Sequence, residues 1–397
     1  MGRHDVPRIA IIDDAKEGEE LVTLFSSNGL AEARVFHPRE VSKETLRWAD
    51  LALIDFQLDQ WPEIGDGAAP IAQRPPDGLA LAGILRRYAA KLQRDDPPTA
   101  MALWTGHVPD VAWPLPAETR EHVLARMTNL EWVFPKGIPD APPDTLGKQI
   151  ASLASAVCCL PRGWPPDLLR RQLVGLLGLD ASDPILDRKV EDVQECRPPV
   201  HELSTWSHGL AMLRWLLHRI LPYPAFLWDM RYVAARLRTD VRSLREHVET
   251  ESDLKQRLKA IEYGGCLAGF LGPRWWRSGV EMLVWEITGG RSGDADAVRD
   301  AVNTLAATAL KPSAVDRPVV CVDENLRPSD DFSSFEEAVR VQPDDWPIFA
   351  DRPWIPIEEV GQDPGLHALV VPEDREKLRY DVRSRSTGTS PGTLPRD

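Results

Sequence analysis

No stretch of this 397-residue chain is apolar for long enough to cross a membrane. The longest near-apolar run, ASLASAVCCL at 151–160, falls far short of the roughly 20 residues that a spanning helix needs. The first twenty residues are polar and contain RIAIIDDAKEGEE, so neither a secretory signal nor a targeting peptide is expected. Cysteine is scarce: five residues (Cys158, Cys159, Cys196, Cys266 and Cys321), odd in number and without a C-x-x-C spacing. That argues against a disulfide framework and points to a reducing cytoplasm. Positive charge is also short, with 47 Lys+Arg against 61 Asp+Glu and a net charge of −14. No segment is basic enough for strong nonspecific nucleic-acid binding, and only the near-neutral middle of the chain offers such a surface. The second half holds no Ser/His/Asp set, no H-E-x-x-H and no recognisable helix-turn-helix. GGRSGDAD at 289–296 lacks the Gly-Lys-Ser/Thr of a P-loop and reads as a turn into a helix capped by Ser292 or Asp294. There is no internal repeat.

What the chain does have is a series of short apolar runs, each closed by a chemically useful residue. RIAII ends at Asp13-Asp14, LALI at Asp55, TAMALW at Thr105 and EWVFP at Lys136. Between them lie helix-like segments: AKEGEELVTLFSSNG, VSKETLRWAD, DGLALAGILRRYAAKLQRDD, ETREHVLARMTNL and DTLGKQIASLASAVCCL. This β-α-β-α rhythm predicts a doubly wound, five-stranded parallel sheet with helices on both faces. In such sheets ligands bind at the carboxyl ends of the strands. The closing residues are therefore expected to share one edge. Three carboxylates can hold a divalent cation, and a hydroxyl with an ammonium can bind phosphoryl oxygens. Together they describe a site that takes up a phosphoryl group on a carboxylate.

PRGWPP at 161–166 breaks the chain. The expected organisation is an α/β domain over residues 1–160, a mostly α-helical domain over 161–310, an acidic Pro/Trp-containing segment packed on it over 311–380, and a disordered tail at 381–397. Within the helical part, VHELSTWSHGLAMLRWLLHRI reads as one long amphipathic segment stopped by LPYP, and residues 225–265 as one or two further helices. RPVVCVDE reads as a single strand. Fourteen tryptophans imply aromatic-rich cores or an interface.

The order of elements over residues 7–160, with Asp13, Asp14, Asp55, Thr105 and Lys136 in their places and Asp77-Gly78 opening the third helix, resembles the receiver domain of two-component response regulators. The resemblance implies a flavodoxin-like fold and a phosphoacceptor at Asp55. It implies Mg2+ held by Asp14, Asp55 and the main-chain carbonyl of Gln57, with Asp13 acting through water. Lys136 would pair with a phosphoryl oxygen and Thr105 would turn inward to bond another, with self-dephosphorylation as the enzymatic side of the cycle. The implied donor is a histidine kinase or phosphotransfer protein, the output an unidentified protein partner, and pairing through the fourth helix would give a homodimer.

Some features depart from that family. Asp55 and Asp77 stand 22 positions apart, so residues 57–76 form a long loop beside the site, a lid, a docking element or a block. Thr105 and Lys136 are also widely spaced. The stretch 106–131, where the pairing helix would lie, is altered. The aromatic switch position holds Val133, flanked by Trp132 and Phe134. Pro135 precedes Lys136 and Gly137 follows it. Two alternatives stay open: a constitutive scaffold built on a non-cycling receiver fold, and an effector enzyme with its site in the second half.

Two further groups stand out. His201, His208 and His218 lie at near-helical spacing and read as ordinary core or surface histidines rather than a metal or phosphotransfer site. YGGCLAGFLGPRWWRSG at 263–279 combines small residues, which permit close backbone approach, with Arg274-Trp275-Trp276-Arg277. These could suit single-stranded nucleic acid or a phosphorylated partner, or form a tight interhelical turn with tryptophans in the core.

Overall fold

The computed structural model describes residues 6–15, 17–59, 75–92, 98–112, 120–137, 144–161, 163–165, 167–206 and 209–378. Most of the long loop (60–74), His208 and the tail 381–397 lie outside the described residues. By internal contact the chain forms two units, Met1–Pro222 with Tyr263–Pro273, and Tyr223–Glu262 with Arg274–Asp397.

The first unit is built on five strands: β1 (Arg8–Ile12), β2 (Glu32–Phe36), β3 (Leu51–Asp55), β4 (Ala100–Thr105) and β5 (Trp132–Pro135). All pair in parallel in the order β2-β1-β3-β4-β5, the order of flavodoxin-like doubly wound sheets. The central strands β3 and β4 are buried along their whole length, and apolar up to the Asp55 and Thr105 that close them, because both faces are covered. Helices α1 (Glu17–Ser27), α2 (Lys43–Trp48), α3 (Gly78–Leu92), α4 (Val108–Ala112), α5 (Glu121–Met127) and α6 (Thr145–Cys158) alternate with them. Leu46 of α2, Leu81 and Leu85 of α3, and Leu124 of α5 pack over Ile54, Leu103 and Val133 on one face. Helices α1 and α6 contact each other, and α6 reaches β1 and β3. Four helices follow: α7 (Leu169–Leu176), α8 (Leu186–Glu195), α9 (Val200–Trp206) and α10 (Leu210–Trp215), the last continuing into a π-helical turn, Leu216–Ile220. The single long segment expected there is thus divided, and it stops before Pro222 as expected. No helix among the described residues is long and apolar enough to cross a membrane.

The loop 263–273 packs against the end of α7. A Cβ at Gly265 would fall 2.4 Å from the Leu177 carbonyl carbon, so only glycine permits this backbone approach. A buried carboxylate fastens α10 and α3 to the sheet. Glu131, just before β5, is fully buried. It accepts from Arg86 of α3 at 2.8 Å, from Arg214 of α10 at 2.8 Å and from the Met101 amide at 2.5 Å. His218 Nε2–H donates to the Glu131 carbonyl at 2.8 Å.

The second unit begins with β6 (Leu227–Trp228), α11 (Met230–Leu237), α12 (Val241–His247) and α13 (Asp253–Ala260). Three helices stand where one or two were expected. Side-chain caps divide the run: Asp229 accepts from the Arg231 amide, Asp240 from Ser243 and Ser252 from Lys255, at 2.9, 2.9 and 3.1 Å. Strand β7 (Trp275–Trp276) pairs with β6 and leads into α14 (Arg277–Ile287) and α15 (Ala295–Ala306), the latter capped by Asp294. Trp275 and Trp276 are buried, which favours the core reading of the Arg-Trp-Trp-Arg motif. The expected strand in RPVVCVDE is β8 (Pro318–Val322). It is joined by β9 (Pro328–Ser334), β10 (Ala338–Arg340) and β11 (Trp354–Pro356) in a mixed sheet of order β10-β11-β8-β9. Short helices α16 (Ile357–Val360) and α17 (Pro364–Leu369) complete the unit.

Candidate functional site

The strand register sets the site. Ile12 lies beside Ile54, Asp55 beside Trp104, and Thr105 beside Pro135. Asp13, Asp55, Thr105 and Lys136 therefore leave the sheet at one edge, the carboxyl end of the parallel strands. One carboxylate oxygen from each of Asp13, Asp14 and Asp55 lies within 4.8 Å of the other two. Asp13 and Asp55 are buried and Asp14 is half-buried.

Each group is held by its neighbours. Asp13 Oδ1 accepts from the Ala15 amide at 2.9 Å and Oδ2 from the Gly18 amide at 2.8 Å, so the start of α1 clamps this carboxylate. Asp55 Oδ1 accepts from the Gln57 amide at 3.4 Å. Lys136 Nζ stands 3.2 Å from both oxygens of Asp55. It also contacts Glu17 Oε2 at 2.5 Å and lies over the Trp104 ring, 4.5 Å from its centre. The Thr105 hydroxyl faces its own turn, donating to the His107 carbonyl at 3.2 Å and accepting from the His107 amide at 3.1 Å.

Burial pushes the Asp55 carboxyl up from 3.8 to about 6, Lys136 pulls it down, and the Asp13 charge adds to the rise. Burial works to lower the Lys136 ammonium, but its bonds to Glu17 and the charge of Asp55 outweigh it, and its pKa is raised. Three converging carboxylates thus share one buried edge with a single ammonium among the described residues. Carboxylate oxygens are hard donors, and the set fits a small divalent cation such as Mg2+, which keeps several waters. Asp13, Asp14 and Asp55 could hold it by their side chains.

The Asp77-Gly78 pair returns the chain to this edge after the long loop. Asp77 Oδ1 accepts from the Ala80 amide at 2.8 Å and the Gly78 amide donates to the Phe56 carbonyl at 2.9 Å. A Cβ on Gly78 would lie 1.9 Å from the Asp55 carbonyl oxygen, so α3 can start against Asp55 only with glycine. The loop's extra length does not move the helix away.

All five strand-end residues come to this edge. Sequence reasoning missed Glu17 as a partner of Lys136 and Trp104 as the ring beneath it. Glu17 offered one signal, its place on the first turn of the helix that follows Asp14. At the switch position Val133 is fully buried, and the flanking Trp132 and Phe134 meet Phe270 edge-on at 4.9 and 6.2 Å between ring centres. His218 is buried and bonded as described, and His201 is exposed.

No family model and no curated protein matches the chain. Among solved structures, the chain is similar to a response regulator receiver domain protein from Clostridium thermocellum, at 12% identity and a TM-score of 0.26, over 43% of this chain and 98% of that one. It is also similar to the RcsB response regulator of Salmonella typhimurium, at 14% identity and a TM-score of 0.25, over 48% of this chain and 76% of that one. A third likeness is to ChrA, a response regulator of a heme-sensing two-component system, at 14% identity and a TM-score of 0.24, over 54% of this chain and 89% of that one.

Proposed function

We propose that the first unit acts as a phosphoryl-accepting receiver in a signalling protein. The observation that carries this reading is the meeting of Asp13, Asp14 and Asp55 at the carboxyl edge of the sheet, with Lys136 on the Asp55 carboxylate. In this reading an Asp55 oxygen attacks the phosphorus of a phosphohistidine on a histidine kinase or phosphotransfer protein. A phosphorus–oxygen bond forms as the phosphorus–nitrogen bond breaks, and the electron pair returns to the imidazole. Asp13, Asp14, Asp55 and the Gln57 main-chain carbonyl would hold Mg2+, which would offset the repulsion between an anionic donor and the acidic edge. Lys136 moves from the carboxylate to a phosphoryl oxygen. Thr105 breaks its turn to His107 and donates to another oxygen, changing the surface at the start of α4 for a protein partner to read.

The test is Trp104 fluorescence. Mg2+ with beryllofluoride, which mimics a phosphoryl group, should change the emission of the wild type and leave Asp55→Ala unchanged. An equal response in both, or none in the wild type, would refute the assignment of Asp55 as acceptor.

A further inference from the structure

The second unit holds a cavity of about 530 Å³, within the range of small-molecule sites. Five arginines line it: Arg236, Arg238, Arg317, Arg340 and Arg352. Trp228, Tyr232, Phe335 and Trp354 supply flat apolar wall between them. Four of the arginines are already engaged. Arg236 bonds Glu281 at 2.9 Å, Arg317 bonds Glu336 at 2.7 Å, Arg340 bonds Asp374 at 2.8 Å, and Arg352 approaches Glu373 at 3.6 Å. The carboxylate in the wall, Asp351, is taken by Arg277 at 3.0 Å.

Arg238 is different. Its half-buried guanidinium has no hydrogen bond or ion pair among the described residues. Burial and the like charges of Arg236 and Arg317 disfavour its charge, and Asp316 acts on it only through space. Its backbone makes the choice of residue more pointed. Arg238 follows α11 in the left-handed conformation, φ 60 and ψ 32, where glycine is the usual residue. Arg317 is left-handed too, at φ 46. Both positions accept a conformational cost that glycine would avoid, and both place an arginine on the cavity. Trp228 in the same wall is buried, with its indole Nε1–H sealed from solvent, so what it offers the cavity is its ring.

We propose that this cavity binds a nucleotide, with its phosphate on Arg238 and its base against the aromatic wall. The uncommitted guanidinium calls for an anion with several oxygens. The aromatic residues call for a flat ring. The volume suits a small molecule.

The experiment uses the full-length chain. AMP, GMP, CMP and UMP are each titrated by calorimetry and by thermal shift, with inorganic phosphate and adenosine as the separated halves. At least one nucleotide should bind and raise the melting temperature, and neither half alone should match it. Arg238→Gly suits the left-handed backbone, so the unliganded protein should melt no lower than the wild type while affinity falls at least tenfold. Binding of none of the four, equal affinity in Arg238→Gly, or an equal shift with phosphate alone would overturn the proposal.

Discussion

Replacing Asp55 with asparagine should make the protein more stable. In the folded chain the Asp55 carboxyl titrates at about 6 rather than 3.8. A difference of about 2.2 units corresponds to ~3 kcal/mol. The folded-state pKa is raised, so the folded chain binds the extra proton between 3.8 and 6 and stability falls as pH rises through that window. Above it the ionised carboxylate weighs against folding by the full ~3 kcal/mol, even with Lys136 beside it. Asparagine keeps the shape and removes the charge. The gain should reach ~3 kcal/mol near pH 8 and about half of that near pH 5. In a unit of this size it amounts to roughly 6–12 °C in melting temperature. Urea unfolding of wild type and Asp55→Asn at the two pH values measures it. Adding Mg2+ should raise the wild type alone and close the gap, since a ligand stabilises the state that binds it. A variant no more stable than the wild type at pH 8, or a gap that does not change with pH, would refute the reasoning.

The second prediction concerns the approach of α3 to Asp55. Gly78→Ala places a methyl group 1.9 Å from the Asp55 carbonyl oxygen and should cost about 2–3 kcal/mol. A thermal melt reads the loss, and a Mg2+ titration should show weaker binding as the edge shifts; an unchanged melt would show that the backbone yields freely. In Asp55→Asn, where the opposing gain from protonating Asp55 between about 6 and 3.8 is absent, acid should destabilise the first unit in two stages. His218 is pushed down by burial from 6.5 to about 4, so its contribution is present above 6.5 and lost as pH falls toward 4. Glu131 is opposed by burial but held by Arg86 and Arg214 at about 2 rather than 4.5, so its contribution is lost as pH falls from 4.5 toward 2. Each stage is worth ~3 kcal/mol. Glu131→Gln should cost about 3 kcal/mol at neutral pH, because two arginines lose their shared carboxylate, and it should erase the lower stage. Urea titrations across pH check both stages.

The parallel sheet and its edge were legible because the same residues carry both signals. The run LALI is apolar throughout, since β3 is covered on both faces, and it ends at Asp55, where the strand reaches the carboxyl edge of the sheet. The pairing of Lys136 with Glu17 was not legible, because it joins positions 119 apart through the fold. Strand β9, PSDDFSS, carries no apolar alternation; it forms because β8 offers a partner along one side. The caps that divide the run 229–260 were visible as Asp229, Asp240 and Ser252. Around them the sequence is rich in good helix formers, and propensity alone does not say where a capping side chain will be used.

The Glu131 hub has a consequence for how this protein can be divided. The sheet's own buried carboxylate is neutralised partly from within, by Arg86, and partly by Arg214, which arrives more than eighty residues later, while His218 bonds the same residue's main-chain carbonyl. A fragment ending near residue 160 would carry the whole carboxylate edge yet lack half the counter-charge for the carboxylate buried at the start of β5. The carboxylate edge and the helices that follow are thus tied into one cooperative piece, and the sheet is not a cassette that could be moved to another chain by cutting at its last strand.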